Sequence, residues 1–228
     1  MRLLLVGCFV ASFIIISPIF CPAETDLDSV LQKLDQTAEN FRTAQANFVW
    51  TTFNSVVSEE EKPQTGKIYF ERSGSETKMA AHLDAPDSEV IIFSGGKIEI
   101  YKKRLETVDV YNAGAHREEF ETFLVLGFGS SGKEMRTSFD VKYQGDEKIA
   151  GVDIAKLDLV PKAENIRNHF PEIILWIDLQ RGVSLQQKLM EPNGDYRLAK
   201  YSAIDLKHKI PAKIFNLKPS GKTTVTNH

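Results

Sequence analysis

Residues 127 to 133, GFGSSGK, have the residue types that could bind a phosphate. Their glycines and lysine fit both G-x-G-x-x-G and most of the P-loop pattern. Both patterns need a strand before the glycines and a helix after them, so that free backbone amides meet the phosphate. Here a helix is predicted before the glycines, and Glu134 replaces the Ser or Thr that would reach magnesium. We therefore interpret Gly127 as a helix C-cap and Gly129 to Gly132 as a mobile linker, not as a phosphate site.

Other residue patterns that could support catalysis are weak. None of the five histidines lies at metal-ligand spacing from another histidine or a carboxylate. The sequence has no G-x-S-x-G elbow, and the acidic runs at residues 59–61 and 118–119 are typical of a solvated loop and an outer helix face. We therefore expect no catalytic residues, no metal and no cofactor, and we expect the protein not to be an enzyme.

The N-terminal segment has the pattern of a signal peptide. Arg2 precedes an apolar run from Leu3 to Ile16, and Pro18 ends that run. Residues 1–23 are predicted to be cleaved ahead of Glu24, which predicts export to the periplasm. A membrane anchor is the alternative, but the run is shorter than the ~20 residues that a spanning helix needs.

Composition limits the remaining classes of function. Both cysteines, Cys8 and Cys21, lie in the signal segment, so we expect no disulfide in the mature chain. A lipoprotein signal would need a small residue before Cys21, where Phe20 stands. The formal net charge of −3 argues against nucleic acid, whose binding requires a basic face. The length is that of a single domain, predicted over residues 24–228.

Hydrophobic periodicity predicts a wide sheet after one helix. Thr25 to Phe41 has apolar residues at helical spacing, whereas from Gln45 onward apolar and polar residues alternate with turn signals between the runs. A second helix is predicted from Arg117 to Leu126. The predicted fold is α+β: a strongly curved antiparallel sheet, an incomplete β-barrel of roughly ten strands, with helices lidding the concave apolar face.

Five local motifs carry a family resemblance. They are Ala46–Phe48, Gly66–Arg72, Ser94–Tyr101, Leu157–Lys162 and Phe215–Gly221. The third stands where the family has D-G-x-x-(V/I)-W-x-Y, the fourth matches L-x-L-x-P-K, and the last matches F-x-(F/L)-x-P-x-G. In order and spacing the sequence resembles the LolA family of periplasmic carriers of outer-membrane lipoproteins.

The resemblance covers about residues 27 to 225 and implies a transfer protein. The family fold is an unclosed β-barrel with helical lids over a hydrophobic cavity that receives acyl chains. It implies acylated lipoproteins or other lipids as ligands, an inner-membrane ABC transporter as donor and an outer-membrane receptor as acceptor. We expect a monomer.

One arginine is implied to control access to the cavity. In the family, an arginine that opens an R-P-x-x-F-x-W segment holds the lid closed, and Arg72 stands at that position. This chain departs from the family pattern: Ser73 replaces the Pro, Glu76 the Phe, Lys78 the Trp, and Glu99 the Trp of the D-G motif. These departures predict a more polar or differently shaped lining. Arg72 could equally be a sheet-edge arginine.

The expected cavity lining combines strand and lid residues. A register slip of one residue would move every side chain of a strand to the opposite face of the sheet. The expected lining residues are Phe48, Trp50, Ile68, Phe70, Met79, Ile92, Ile98, Ile100, Phe120, Phe123, Leu124, Leu157 and Leu175. We interpret the protein as a carrier that ferries lipoproteins between the two membranes. Two alternatives stay open: a related binder of another amphiphile or lipid-sensing envelope regulator, and an interaction module with a filled core.

Overall fold

A computed structural model describes residues 26–74, 76–84, 86, 88–112, 114, 125–219 and 221–228. The predicted signal peptide and most of the predicted second helix lie outside these residues. None of the described helices is both long enough and apolar enough to span a membrane.

The described elements are mostly strands of one sheet. In chain order they are α1 Leu27–Asn40, β1 Thr43–Asn54, β2 Glu59–Glu60, β3 Gln64–Ser73, β4 Glu76–Leu83, β5 Glu89–Ser94, β6 Lys97–Lys102, β7 Thr107–Asn112, α2 Gly132–Ser138, β8 Phe139–Ile149, β9 Val152–Pro161, α3 Glu164–Arg167, β10 Glu172–Asp178, β11 Val183–Met190, β12 Tyr196–Asp205, a 3-10 helix Ala212–Phe215, and β13 Thr224–Asn227.

The strands follow one open path, and the sheet does not close into a barrel. The order across it is β13-β7-β6-β5-β4-β3-β1-β12-β11-β10-β9-β8, with β2 paired to β1. Neighbours pair antiparallel except β13, which pairs parallel to β7. The predicted α+β fold with a wide, open, antiparallel sheet is confirmed. The described strands number thirteen instead of roughly ten, because alternation in the sequence does not mark β2, β4 or β13.

The N-terminal helix begins two residues later than its periodicity predicts. Asp26 caps the helix. Its carboxylate accepts a hydrogen bond from the backbone N–H of Ser29, and the Ser29 hydroxyl oxygen accepts one from the backbone N–H of Asp26. Val30, Leu31 and Leu34 recur at helical spacing and are buried. The helix therefore lies with one apolar face against the sheet.

We call the face on which α1 packs the inner face of the sheet. Below the helix, β8 to β10 present a dense cluster of aliphatic side chains, several of them with no exposed surface. On the outer face, Phe215 of the 3-10 helix and Ile210, which precedes that helix, pack against Ala80 and Ile92. Both layers are close-packed, so the apolar surface that they remove from water contributes mainly to folding.

The glycine-rich segment is a packed part of the core, so the predicted mobile linker is wrong. Residues 125 to 130 are all buried. A Cβ on Gly127 would lie 2.5 Å from the Cβ of Ser184, and one on Gly129 would lie 2.5 Å from the Phe41 ring. Both glycines have positive φ, which suits glycine alone at such close approach. The glycines thus serve packing.

The short helix α2 follows that segment. Ser131 caps it through the N–H of Glu134, and the N–H of Lys133 donates to Asp35 of α1 over 3.1 Å. The N–H groups of Ser131, Lys133 and Glu134 are therefore already bonded within the protein, which agrees with the interpretation that this is not a phosphate site.

Candidate functional site

An apolar cavity of about 300 Å³ lies between the inner face of the sheet and the segment of residues 125 to 130. Its volume is at the lower end of the ~300–1,000 Å³ of small-molecule sites. Its lining consists of Phe48, Trp50, Ile68, Phe70, Met79, Ala81, Ile91, Ile98, Leu126, Phe128, Gln187, Leu189, Arg197, Ala199 and Tyr201. Most of these side chains are aliphatic or aromatic, so the cavity favours apolar ligands.

Strand register determines which side chains reach the cavity. Ile68 on β3 lies opposite Ala81 on β4, and Phe70 lies opposite Met79. Phe48 on β1 lies opposite Gly66, where an added Cβ would come within 2.8 Å of the Phe48 ring. The missing side chain at this position leaves the space that the ring occupies. Because successive side chains of a strand point to opposite faces, every second residue of these strands points to the face of the sheet that holds the cavity, and most of those residues are apolar.

The segment of residues 125 to 130 closes one side of the cavity with an aromatic ring. Phe128 stacks on Phe70, with ring centroids 5.1 Å apart, and meets Tyr201 edge-on at 4.9 Å. Offset-stacked and edge-on pairs of this kind contribute about 0.5–1.5 kcal/mol beyond their buried area. The three rings pack against one another and form one side of the cavity.

The structure brings together six of the residues expected to line a cavity. They are Phe48, Trp50, Ile68, Phe70, Met79 and Ile98. Ile100 lies two residues after Ile98 on β6 and on the same face of the sheet, but it is not part of the cavity lining. Phe120, Phe123 and Leu124 lie outside the described residues.

Three other expected lining residues lie elsewhere. Leu157 and Leu175 have 0% exposure and pack under α1, in the half of the sheet that the helix fills. Ile92 lies opposite Ala80 and packs on the outer face with Ile210. Periodicity identified all three as apolar strand positions, but it does not tell where a helix covers the sheet or which face is inner.

The charged departures from the family pattern do not polarise the cavity, contrary to expectation. Lys78 lies opposite Glu71 and forms ion pairs with Glu71 and Glu76, at 3.9 and 4.0 Å. Glu99 lies opposite Ile92. All of these side chains belong to the outer face, because neighbouring strand positions alternate between faces.

Few polar groups enter the cavity lining. The hydroxyl of Tyr201 donates to the amide oxygen of Gln187 over 3.1 Å, and burial raises the pKa of Tyr201 above its ordinary range, so it stays neutral at physiological pH. Trp50 Nε1 is buried and has no acceptor among the described residues. Arg197 Nε donates to Glu191 Oε1 over 2.7 Å.

Sequence reasoning missed the contributions of β11 and β12. Gln187 and Leu189 alternate on β11, and Arg197, Ala199 and Tyr201 alternate on β12. Asn193-Gly194-Asp195 is a hairpin signal in the sequence and predicts a strand on either side, but the apolar residues of both strands occur on both faces. Pairing of Trp50 with Ala199 and of Phe48 with Tyr201 would have assigned the face.

Arg72 lies at the end of β3, on the same face as Phe70. Its backbone N–H donates to the carbonyl of Arg42 over 2.7 Å, and its guanidinium carbon lies 5.5 Å from the centre of the Phe41 ring. Within the described part of the chain, no hydrogen bond of the guanidinium is found. Most of the helix that it would latch lies outside the described residues, so the latch stays a prediction.

Comparison with known proteins identifies the family. A family model described as "Outer membrane lipoprotein carrier protein LolA" matches residues 39–218. No curated protein matches the sequence.

Solved structures support the fold. An uncharacterized conserved protein from Thermus thermophilus aligns with a TM-score of 0.55 at 10% identity, over 88% of this chain and 98% of that one. MucB aligns with a TM-score of 0.51 at 13% identity, over 86% of this chain and 64% of its own length. Since the family model covers most of the sequence, the chain belongs to the LolA family of outer-membrane lipoprotein carrier proteins.

Proposed function

We propose that this protein binds the acyl chains of lipoproteins in its inner-face cavity and carries them through the periplasm from the inner to the outer membrane. The observation that carries the proposal is the apolar cavity itself, in a chain of the lipoprotein carrier family. The donor would be an inner-membrane ABC transporter and the acceptor an outer-membrane receptor, the partners that the family implies.

Incomplete burial of the lining supports a binding role over a filled core. Trp50, Ile68, Ile91 and Ile98 are only partly buried, although they are large and apolar. Each methylene that leaves water contributes about 0.8 kcal/mol, so an acyl chain against these side chains is stabilised in proportion to its length. A small cavity limits that total, which suits a carrier that must release its ligand.

The position of the charged residues favours an acyl ligand. Glu76, Lys78 and Glu99, the charged residues that depart from the family pattern, all lie on the outer face. The cavity keeps an aliphatic and aromatic lining, with polar groups only on β1, β11 and β12. An acyl chain is the ligand that such a lining stabilises best.

The two tryptophans provide a direct test of binding. Trp50 lines the cavity, whereas Trp176 lies on the outer face and donates to Glu147 over 3.1 Å. In a Trp176→Phe variant, Trp50 is the sole tryptophan. Titration with a triacylated lipopeptide should shift its emission to shorter wavelength, and the deacylated peptide should not. The reciprocal Trp50→Phe variant should show no shift.

Carriage requires release as well as binding. Donor vesicles that contain a fluorescent lipopeptide should pass it to acceptor vesicles at a rate that increases with protein concentration. A lipid-sensing regulator would bind without accelerating transfer. An interaction module with a filled core would give neither a Trp50 shift nor transfer, and that result would reject the proposal.

A further inference from the structure

The edge of the cavity carries a tryptophan and an arginine that lie against each other. Trp50 comes from β1 and Arg197 from β12, and both line the cavity. The guanidinium carbon of Arg197 lies 5.9 Å from the Trp50 ring centre and 5.8 Å from the Phe170 ring centre. Two aromatic neighbours restrict where the guanidinium can move. The cavity therefore ends at a positioned polar group.

A second hollow of about 370 Å³ begins at that same arginine. Its lining consists of Asn168, His169, Phe170, Glu191, Pro192, Asn193 and Arg197. Arg197 is the residue that the two spaces share. An amphiphile whose apolar chain lies in the cavity would thus place its polar part in a hollow with amide and imidazole side chains.

Two sets of donors at this junction lack acceptors among the described residues. The Nε1 of Trp50 is buried without a partner. Arg197 uses its Nε for Glu191, and no acceptor is found within the described part of the chain for its two terminal amino groups. A buried donor without an acceptor costs free energy, so a ligand that supplies an acceptor to Trp50 Nε1 gains affinity. The Arg197 side chain is 41% exposed, so its free amino groups can donate to water or to a ligand.

The charge balance indicates which acceptor fits. Glu191 lies 2.7 Å from Arg197 and offsets its charge. A free carboxylate or phosphate that approached the guanidinium would also approach Glu191 and be repelled. An uncharged carbonyl oxygen can accept from Trp50 and from Arg197 without that penalty.

We propose that Trp50 and Arg197 recognise the uncharged ester or amide carbonyl that joins an acyl chain to its polar part. The inference rests on the proposed function and narrows its ligand class: chains that are linked through a carbonyl bind better than equally long chains that are linked through an ether. The hollow beyond Arg197 holds the polar part that follows the carbonyl.

The test compares three ligands of equal chain length in competition with a fluorescent acyl probe. They are monomyristoylglycerol, its tetradecyl ether analogue, and myristate at pH 8. The ester should bind several-fold to about tenfold more tightly than the ether, as expected for one or two hydrogen bonds. Trp50→Phe, which removes the N–H and keeps an aromatic ring, should bring the ester-to-ether ratio close to one. Trp176→Phe is the matched control and should keep the ratio.

Each contrary result has a separate meaning. Equal affinities of ester and ether for the unmodified protein would overturn the carbonyl inference and leave the acyl carrier intact. Tighter binding of myristate than of the ester would overturn it too, in favour of an anion site. If none of the three displaces the probe, the proposed function fails together with the inference. Arg197→Met, which keeps an apolar stem, should lower the ratio as Trp50→Phe does.

Discussion

Two adjacent alanines on β4 allow the cavity to be tested by filling it. Ala81 lines the cavity, whereas Ala80 has 0% exposure and packs on the outer face against Ile92 and Phe215. The change to phenylalanine adds the same ring at both positions. We expect Ala81→Phe to keep or raise the free energy of unfolding and to abolish acyl binding, and Ala80→Phe to lower the free energy of unfolding.

The magnitudes follow from the space at each site. A ring at position 81 enters a void of about 300 Å³. Full burial of a phenylalanine side chain contributes about 1.5–3 kcal/mol, and the open side of the cavity reduces that gain. A ring at position 80 enters a packed layer, where overpacking costs about 1–3 kcal/mol. The two variants should therefore differ by at least about 1 kcal/mol.

Urea denaturation and probe binding measure the two effects separately. The midpoint at unchanged slope reports stability, and for a chain of this length 1 kcal/mol corresponds to about 2–4 °C in Tm. The acyl probe should lose affinity for Ala81→Phe and keep it for folded Ala80→Phe. Similar destabilisation by both changes would show that the inner face is as densely packed as the outer face. Full probe binding by Ala81→Phe would place the ligand elsewhere.

Three further predictions concern the latch, the glycine segment and a buried carboxylate. Arg72→Leu should leave the unfolding midpoint nearly unchanged and slow lipopeptide uptake or release; equal transfer rates would remove the latch idea. Gly129→Ala should destabilise by more than about 1 kcal/mol in urea, because its φ is +87° and the new methyl would meet the Phe41 ring; a neutral change would contradict the packing role. Burial acts to raise the pKa of Asp178, but hydrogen bonds from Arg181 and Gln180 outweigh it and lower that pKa. The stabilisation by Asp178 is thus present above the ordinary pKa of about 3.9 and is lost as pH falls through the lower folded pKa. Asp178→Asn should therefore cost about 1–3 kcal/mol at pH 7, and a progressively smaller amount as pH falls below about 3.9, measured by urea denaturation.

The sequence by itself determined the class of fold. Helical spacing in α1 and alternation in the following strands are local properties, and each is set by where a side chain points along its own element. Turn residues such as those at 193–195 then required antiparallel neighbours. Family motifs such as those at Gly66–Arg72 and Phe215–Gly221 narrowed the fold to an open sheet with a cavity.

The tertiary structure decided which apolar residues are core and which line the cavity. Leu157 and Phe48 look alike in sequence, but α1 covers the first and leaves the second beside open space. The sequence indicates a helix C-cap at Gly127 and a linker from Gly129 onward, but Ser184 and Phe41 pack against these two glycines. Arg197 reached Trp50 only because β12 pairs with β1. Such contacts depend on strand register and on which helix covers which strands, and no local pattern encodes either one.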